Sequence, residues 1–259
     1  MLSADGRYEI RVTRDPADIE AAQRLRYHVF YDEMSAEPSP EMRESGRDFD
    51  RFDTICDHLL VIDRERPAGQ QIVGTYRMLL RADAEAHGGY YSSSEFDIAD
   101  FVAGFGGRNA AEIGRSCVHA DYRNQRIVEL LWRGLAHYYR DNSVERIFGC
   151  ASFPGTDPEA LALPLSYLYH FHLAPPELRV RALSALHVPM NRIDKEELNP
   201  RSAIRQVPAL IRAYLRLGGV CGDGAVIDHQ FGTTDVFMVL AMENLPDKYH
   251  DYFERDTPA

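Results

Sequence analysis

Residues Tyr8–Thr13 alternate apolar and polar side chains, the period-2 signature of a half-buried strand. Asp15-Pro16 predicts a helix start, with proline in the first turn. Ile19, Ala22, Leu25, Arg26, Val29 and Phe30 then keep a helical period to about Tyr31. Met34–Thr54 is rich in Pro, Ser, Glu and Asp and reads as a long loop. His58–Asp63 and Gln71–Leu80 read as two strands joined by a Pro/Gly turn. An irregular, glycine-bearing stretch, Asp83–Asn109, precedes a strand at Ala111–Val118. Arg126–Arg140 is a strong helix, with Leu130, Leu131, Leu135 and Tyr138 on one face. Arg146–Ser152 reads as a buried strand, Asp157-Pro158 opens another helix, and Ala174–Val207 has no readable period. Pro208–Leu217 is helical and ends at Gly218-Gly219. Ala225–Gln230 and Val236–Met242 are the last strands, with Gly232-Thr233-Thr234 as their turn.

This order predicts an α/β protein with a mixed sheet and helices on both faces, a three-layer arrangement. Three consecutive strands without intervening helices argue against a doubly wound fold. The 259 residues are expected to form a single domain, with a helical segment at about 174–217 inserted before the last two strands and a tail from about 245 to 259.

Charge narrows the partners. A formal net charge of −11 disfavours nucleic acid. Leu198–Leu217 runs against that balance, since it holds Arg201, Arg205, Arg212 and Arg216 and no acid. Arg212 and Arg216 share a helix face, which is either a solvated face or a docking patch for an acidic carrier protein or an anionic membrane. The apolar runs are too short to cross a bilayer, and Met1–Glu9 has no signal-like region. The four cysteines lie far apart, which fits a reducing compartment and gives no metal framework. A cytoplasmic protein without a bound metal is expected.

Four segments carry a family resemblance. They are R-L-R-Y-H-V-F-Y-D-E-M (Arg24–Met34), D-F-D-R-F-D (Asp48–Asp53), V-G-T-Y-R-M-L (Val73–Leu79) and E-I-G-R-S-C-V-H (Glu112–His119). With the element order, they resemble the Gcn5-related N-acetyltransferase superfamily, in its acyl-homoserine-lactone synthase branch. The second half adds L-L-W-R-G-L (Leu130–Leu135), F-G-C-A-S-F-P-G-T-D-P (Phe148–Pro158), H-F-H-L-A-P-P-E (His170–Glu177) and G-D-G-A-V-I-D-H-Q-F-G-T-T-D-V (Gly222–Val236). These resemble bacterial ornithine N-acyltransferases, from about Tyr8 to Met242. The resemblance implies transfer of a 3-hydroxyacyl group from acyl carrier protein to the α-amine of ornithine, forming lyso-ornithine lipid. It implies no cofactor beyond the 4'-phosphopantetheine that the carrier brings.

Coenzyme A users of the superfamily have glycines in the loop before the helix that follows the fourth strand, where backbone amides cradle the pyrophosphate. Here that stretch reads R-N-Q-R-I-V (Arg123–Val128), with no glycine, which fits a carrier-protein donor better. Arg123 and Arg126 are candidates for contact with the carrier or its phosphate, or else are surface arginines.

The reaction needs a neutral amine, a polarised thioester and alignment. Glu112 is the leading candidate base, with structural pairing to Arg115 as its alternative. That pair faces opposite sides of a regular strand, so pairing requires a bulge, which Gly114 permits. His119 is the second candidate base. Arg26, Arg77 and Arg115, with Asp50 and Asp53, match the lactone-synthase pattern and imply a buried network that forms or braces the acceptor site. Phe30 is placed near the donor or in the core. Asp228, His229 and Asp235 surround the last two strands, and the two aspartates suit the side-chain ammonium of ornithine.

Other readings are acylation of glutamine or another amine, a lactone synthase, and a non-catalytic carrier- or lipid-binding module. A peripheral site at the inner membrane also follows from the amphiphilic product and the arginine stripe.

Overall fold

The computed structural model describes residues 1–3 and 5–246, so most of the tail expected from about 245 lies outside the described residues. Along the chain run β1 (Tyr8–Thr13), α1 (Pro16–Tyr27), α2 (Pro40–Ser45), β2 (Asp57–Asp63), β3 (Ile72–Leu80), α3 (Arg81–Ala86), β4 (Phe96–Asp97) and α4 (Ala99–Ala103). There follow β5 (Asn109–Val118), α5 (Gln125–Asp141), β6 (Val144–Pro154), α6 (Ala162–His172), β7 (Arg181–Ala182), α7 (Pro200–Gln206), α8 (Ala209–Arg216), β8 (Val220–Asp228) and β9 (Thr233–Ala241). The described residues form two compact units, one of residues 1–88 and 113–144, the other of residues 89–112 and 145–246.

In the first unit the strand order is β1-β2-β3 followed by residues 113–118 of β5. β1 and β2 are antiparallel, with Tyr8 opposite Asp63 and Thr13 opposite His58. The apolar face of α5 closes this sheet through Ile127, Leu130, Leu131 and Leu135. Gly134 allows the close approach: a Cβ there would lie 2.5 Å from Leu59 Cδ1 and 2.9 Å from Ile10 Cγ2. Asp15 caps α1 by accepting from the Ala17 and Asp18 backbone N–H groups, ahead of Pro16 at the first position. The helix then widens into a π-helical turn at His28–Glu33, a form that concentrates at functional sites.

In the second unit the order is β6-β9-β8-β7-β4. β6 and β9 are antiparallel, from Arg146 opposite Ala241 to Pro154 opposite Thr233, while β7 and β8 are parallel. The sheet is therefore mixed. All nine residues of β9 are buried, as expected of a central strand. Phe101, Phe105, Phe148 and Phe237 form an aromatic core with ring centroids 5.0–5.9 Å apart. Among the described residues no helix is long and apolar enough to cross a membrane.

Several sequence expectations need correction. The expected loop Met34–Thr54 contains α2, capped by Ser39 and ended by Gly46 in the left-handed region at φ 62°. Asp157-Pro158 opens a turn, not a helix: Asp157 accepts from the Glu159 N–H, and α6 begins only at Ala162. β8 starts at Val220, because a register shift between Cys221 and Ala225 hides its period. Asn199 caps α7 within the stretch that has no readable period.

Candidate active site

The first unit buries a network of arginines and aspartates. Arg26, on α1, is fully enclosed. Its Nε donates to Asp48 Oδ2 at 2.7 Å, and its Nη2 donates to both Asp53 oxygens at 2.9 Å and to the Asp48 carbonyl at 2.6 Å. Arg77, on β3, donates to Asp50 at 2.6 and 2.9 Å and to Asp53 at 3.2 Å. Arg115 Nη2 donates to Asp50 Oδ2 at 3.2 Å, and its Nε lies 3.3 Å from Asp48 Oδ2. Three guanidinium groups thus face three carboxylates. Burial works against the charged form of Asp53, but Arg26 and Arg77 prevail and hold it down to about 2. Asp50 is likewise held low, with burial opposed by Arg77 and Arg115.

The network brings together all five residues named for it from the sequence. It also includes Asp48, Tyr31, Gln23 and His58, which sequence reasoning missed. Tyr31 donates to Asp48 at 3.1 Å, Gln23 to Asp53 at 3.2 Å, and His58 Nε2 to the Asp53 carbonyl at 2.9 Å. Asp48 stood in the quoted D-F-D-R-F-D stretch and shares its two-residue spacing with Asp50, so a signal for it existed. Each acid lies between α2 and β2, so the network ties that long connection to α1, β3 and β5.

The break in β5 lies at Arg115, not at Gly114. Arg115 has φ 49°, a left-handed conformation uncommon for a residue with a side chain. Its two aspartate partners stabilise that step. Phe30 packs with Ile72 against Leu25, Val29 and Cys117. Burial pushes the Cys117 thiol up to about 12, which leaves it protonated and a poor nucleophile.

At the end of β5, His119 accepts from the Asp121 N–H at 3.3 Å, and Arg66 Nη2 lies 3.5 Å from its Nε2. Burial and the Arg66 charge lower its proton affinity. The following loop has no glycine, and Asn124 caps α5 by accepting from the Ile127 N–H. Arg123 pairs with Glu33 and donates to the Val118 carbonyl at 3.1 Å; Arg126 pairs with Asp5 and lies over the Tyr8 ring. Both are exposed ion pairs in this structure.

Glu112 belongs to the second unit and is buried. Its Oε2 accepts from the Tyr91 N–H at 2.7 Å. Its Oε1 accepts from the Ser92 N–H at 2.7 Å and from the Ser92 hydroxyl at closer range. Cys150 Sγ lies 3.6 Å from the same hydroxyl. Around that thiol, ligand atoms of Glu95, Cys150 and Asp235 lie within 4.8 Å of one another. Burial, then Glu95 and Asp235, push the thiol well above its ordinary value, so it stays protonated while no cation is bound. Two neighbouring buried carboxylates suit a cation. Ser92, Glu95 and Cys150 were not singled out in the sequence; they lie in an irregular stretch and mid-strand, where spacing carries no signal.

Other named residues have structural partners. Asp228 accepts from the Phe231 N–H at 3.0 Å and closes the β8–β9 turn, and His229 is exposed on that turn. Asp235 is buried and accepts from the Thr233 hydroxyl at 2.9 Å. Arg212 donates to the carbonyls of Val207 at 2.8 Å and Arg205 at 3.4 Å, fastening the end of α7 to α8. Arg201, Arg205 and Arg216 are exposed and form no ion pair among the described residues.

Residues 25–133 match the family model described as an acetyltransferase (GNAT) domain. An L-ornithine N(alpha)-acyltransferase from Agrobacterium fabrum is 47% identical over 250 residues, 96% of this chain and 85% of its own. The chain belongs to the L-ornithine N(alpha)-acyltransferase family. It is an N-acyltransferase with a GNAT fold. Two solved structures share that fold. An N-acyl amino acid synthase from uncultured soil microbes matches at TM-score 0.52 and 11% identity, over 92% of this chain and 91% of its own. A CoA-dependent acyl-homoserine lactone synthase matches at TM-score 0.50 and 12% identity, over 97% and 92%.

Proposed function

We propose that this acyltransferase moves a 3-hydroxyacyl group from acyl carrier protein to the α-amine of ornithine, forming lyso-ornithine lipid. The observation that carries the reading is the pair of buried acids Glu95 and Asp235 around Cys150, with buried Glu112 joined to them through the Ser92 hydroxyl, in a chain whose relatives bear the ornithine acyltransferase name. Ornithine brings two ammonium groups. Asp235 and Glu95 pair with the side-chain ammonium, and Glu112 takes the proton from the α-ammonium, directly or through water.

The neutral amine then attacks the thioester carbonyl carbon. The C–N bond forms, the carbonyl oxygen gains negative charge, and collapse breaks the C–S bond. Glu112 releases that first proton to solvent, and the second proton of the attacking nitrogen passes to the leaving sulfur, which departs as the pantetheine thiol. Arg115, fixed by Asp48 and Asp50, holds the left-handed step of β5.

The glycine-free loop at 123–128 supports a carrier-borne donor, which brings its own 4'-phosphopantetheine. The exposed arginines of α7 and α8 suit the acidic surface of a carrier protein. The same charges hold the enzyme, in the cytoplasm, against the anionic inner membrane where its amphiphilic product leaves. Mass spectrometry after incubation with 3-hydroxyacyl carrier protein and ornithine tests the reading: an Nα-acylated product supports it, and none from ornithine removes it. Membrane contact is checked by liposome sedimentation, where insensitivity to salt and to Arg201→Glu/Arg216→Glu counts against it.

A further inference from the structure

Three N–H groups meet at the His119 imidazole. The Asp121 backbone N–H points at Nδ1 from 3.3 Å, Arg66 Nη2 faces Nε2 from 3.5 Å, and the ring carries a hydrogen of its own. A neutral imidazole offers one lone pair. The Asp121 contact is the shorter and closes the turn at Ala120–Tyr122, so it takes the lone pair at Nδ1. Nε2–H then confronts the Arg66 N–H, donor against donor. Protonating the ring removes the remaining lone pair and worsens the mismatch. The arrangement is completed by an acceptor, and one negatively charged oxygen can take both hydrogens.

The charges nearby point the same way. Arg7, Arg123 and Arg126 each pair with an acid: Asp63, Glu33 and Asp5. Arg66 forms no ion pair among the described residues; it lies over the Tyr122 ring, 5.3 Å from its centroid. The neighbouring acids are occupied elsewhere. Asp63 accepts from Arg7 and from the Tyr122 hydroxyl, Glu33 faces Arg123 and His28, and Asp121 lies 3.8 Å from the ring on its Nδ1 side. The His28 ring lies 5.7 Å from that of His119.

We infer that Arg66 and the Nε2–H of His119 form a binding site for an oxyanion of the phosphate-ester class. The assignment to a particular ester rests on the proposed donor, where the oxyanion is the phosphodiester of 4'-phosphopantetheine. The loop arginines are compensated by acids, so Arg66 supplies the charge that the glycine-free loop lacks.

Calorimetric titration of the full chain at low salt tests this, with phosphopantetheine, pantetheine and inorganic phosphate as probes. Phosphopantetheine is expected to bind at least about tenfold more tightly than pantetheine. Arg66→Met removes that difference, and Arg66→Lys keeps part of it. The His119 ring proton signals shift on binding in the wild type. Tighter binding of inorganic phosphate than of phosphopantetheine keeps the site but assigns it to free phosphate. Equal binding of phosphopantetheine and pantetheine by the wild type, or a difference that survives Arg66→Met, overturns the site. Acyl transfer is assayed separately: its absence with carrier thioesters, beside intact phosphate binding, removes the donor reading and leaves the oxyanion site standing.

Discussion

Arg26 Nη2 donates to both carboxylate oxygens of Asp53 at 2.9 Å, and the two side chains are all but closed to solvent, at 0% and 3% exposure. Removing one member of such a pair leaves a buried charge without its counter-ion. Arg26→Met is therefore expected to destabilise the protein by about 3–5 kcal/mol in denaturant unfolding. A loss below about 1 kcal/mol would show the network to be ornamental to the fold.

The same network sets an acid limit. Burial holds His58 below its ordinary value, with Arg26 and Arg77 acting in the same direction and Asp53 against them. The fold thus favours neutral His58, while the unfolded chain takes up a proton below about pH 6.5. Stability from His58 is complete above that pH and is lost as pH falls toward the lower folded value. Asp53, held at about 2, adds a second loss between about pH 4 and pH 2. Unfolding followed from pH 8 to pH 2 should fall in two stages, and His58→Gln should diminish the first, to which His119 and His172 also contribute. A single carboxylate-range transition in the wild type would contradict this.

Ser92 donates to Glu112 twice, once from its backbone and once from its hydroxyl. Ser92→Ala removes only the hydroxyl. We expect kcat to fall about tenfold or more, with the KM of the acyl donor unchanged, because Glu112 loses its alignment. An unchanged kcat would separate this turn from the chemistry.

Glu95 and Asp235 are expected to read the acceptor. Glu95→Gln and Asp235→Asn should each raise the KM for ornithine by about tenfold or more, at little change in the KM of the acyl donor. A shift confined to the donor would place these acids elsewhere in the reaction.

Gly134 is expected to tolerate no side chain without a shift in its neighbours. Gly134→Ala drives a methyl into Leu59 and Ile10 and should cost about 1–3 kcal/mol of stability by thermal unfolding, despite alanine's better helix propensity. Stabilisation would mean that α5 is held less closely than the structure has it.

Much of this architecture was legible in the sequence. Tyr8–Thr13 showed its strand by alternation, and the apolar face of α5 showed its helix by period. Arg26 was legible as a site residue because a charged side chain at an apolar helical position demands a partner. Asp48 was missed because an acid in an acid-rich loop looks like its neighbours until the fold selects which are buried. Ser92 and Glu95 were missed because they act from a short turn whose position depends on contacts distant in sequence. The extent of β8 was hidden by a register shift, and α7 by its length of seven residues, less than the span that shows a helical period. Arg212 was legible as a cation, but its bond to the end of α7 was not, since carbonyl partners leave no mark in composition.

The most direct test of the central claim is a competition assay. The enzyme is given 3-hydroxyacyl carrier protein and an equimolar mixture of isotopically distinguishable ornithine, lysine, glutamine and glycine, and the products are resolved by tandem mass spectrometry. The account predicts one dominant product, ornithine acylated on its α-nitrogen, lost with Glu112→Gln. A dominant product from another amino acid, or acylation of the ornithine side-chain nitrogen, would contradict it.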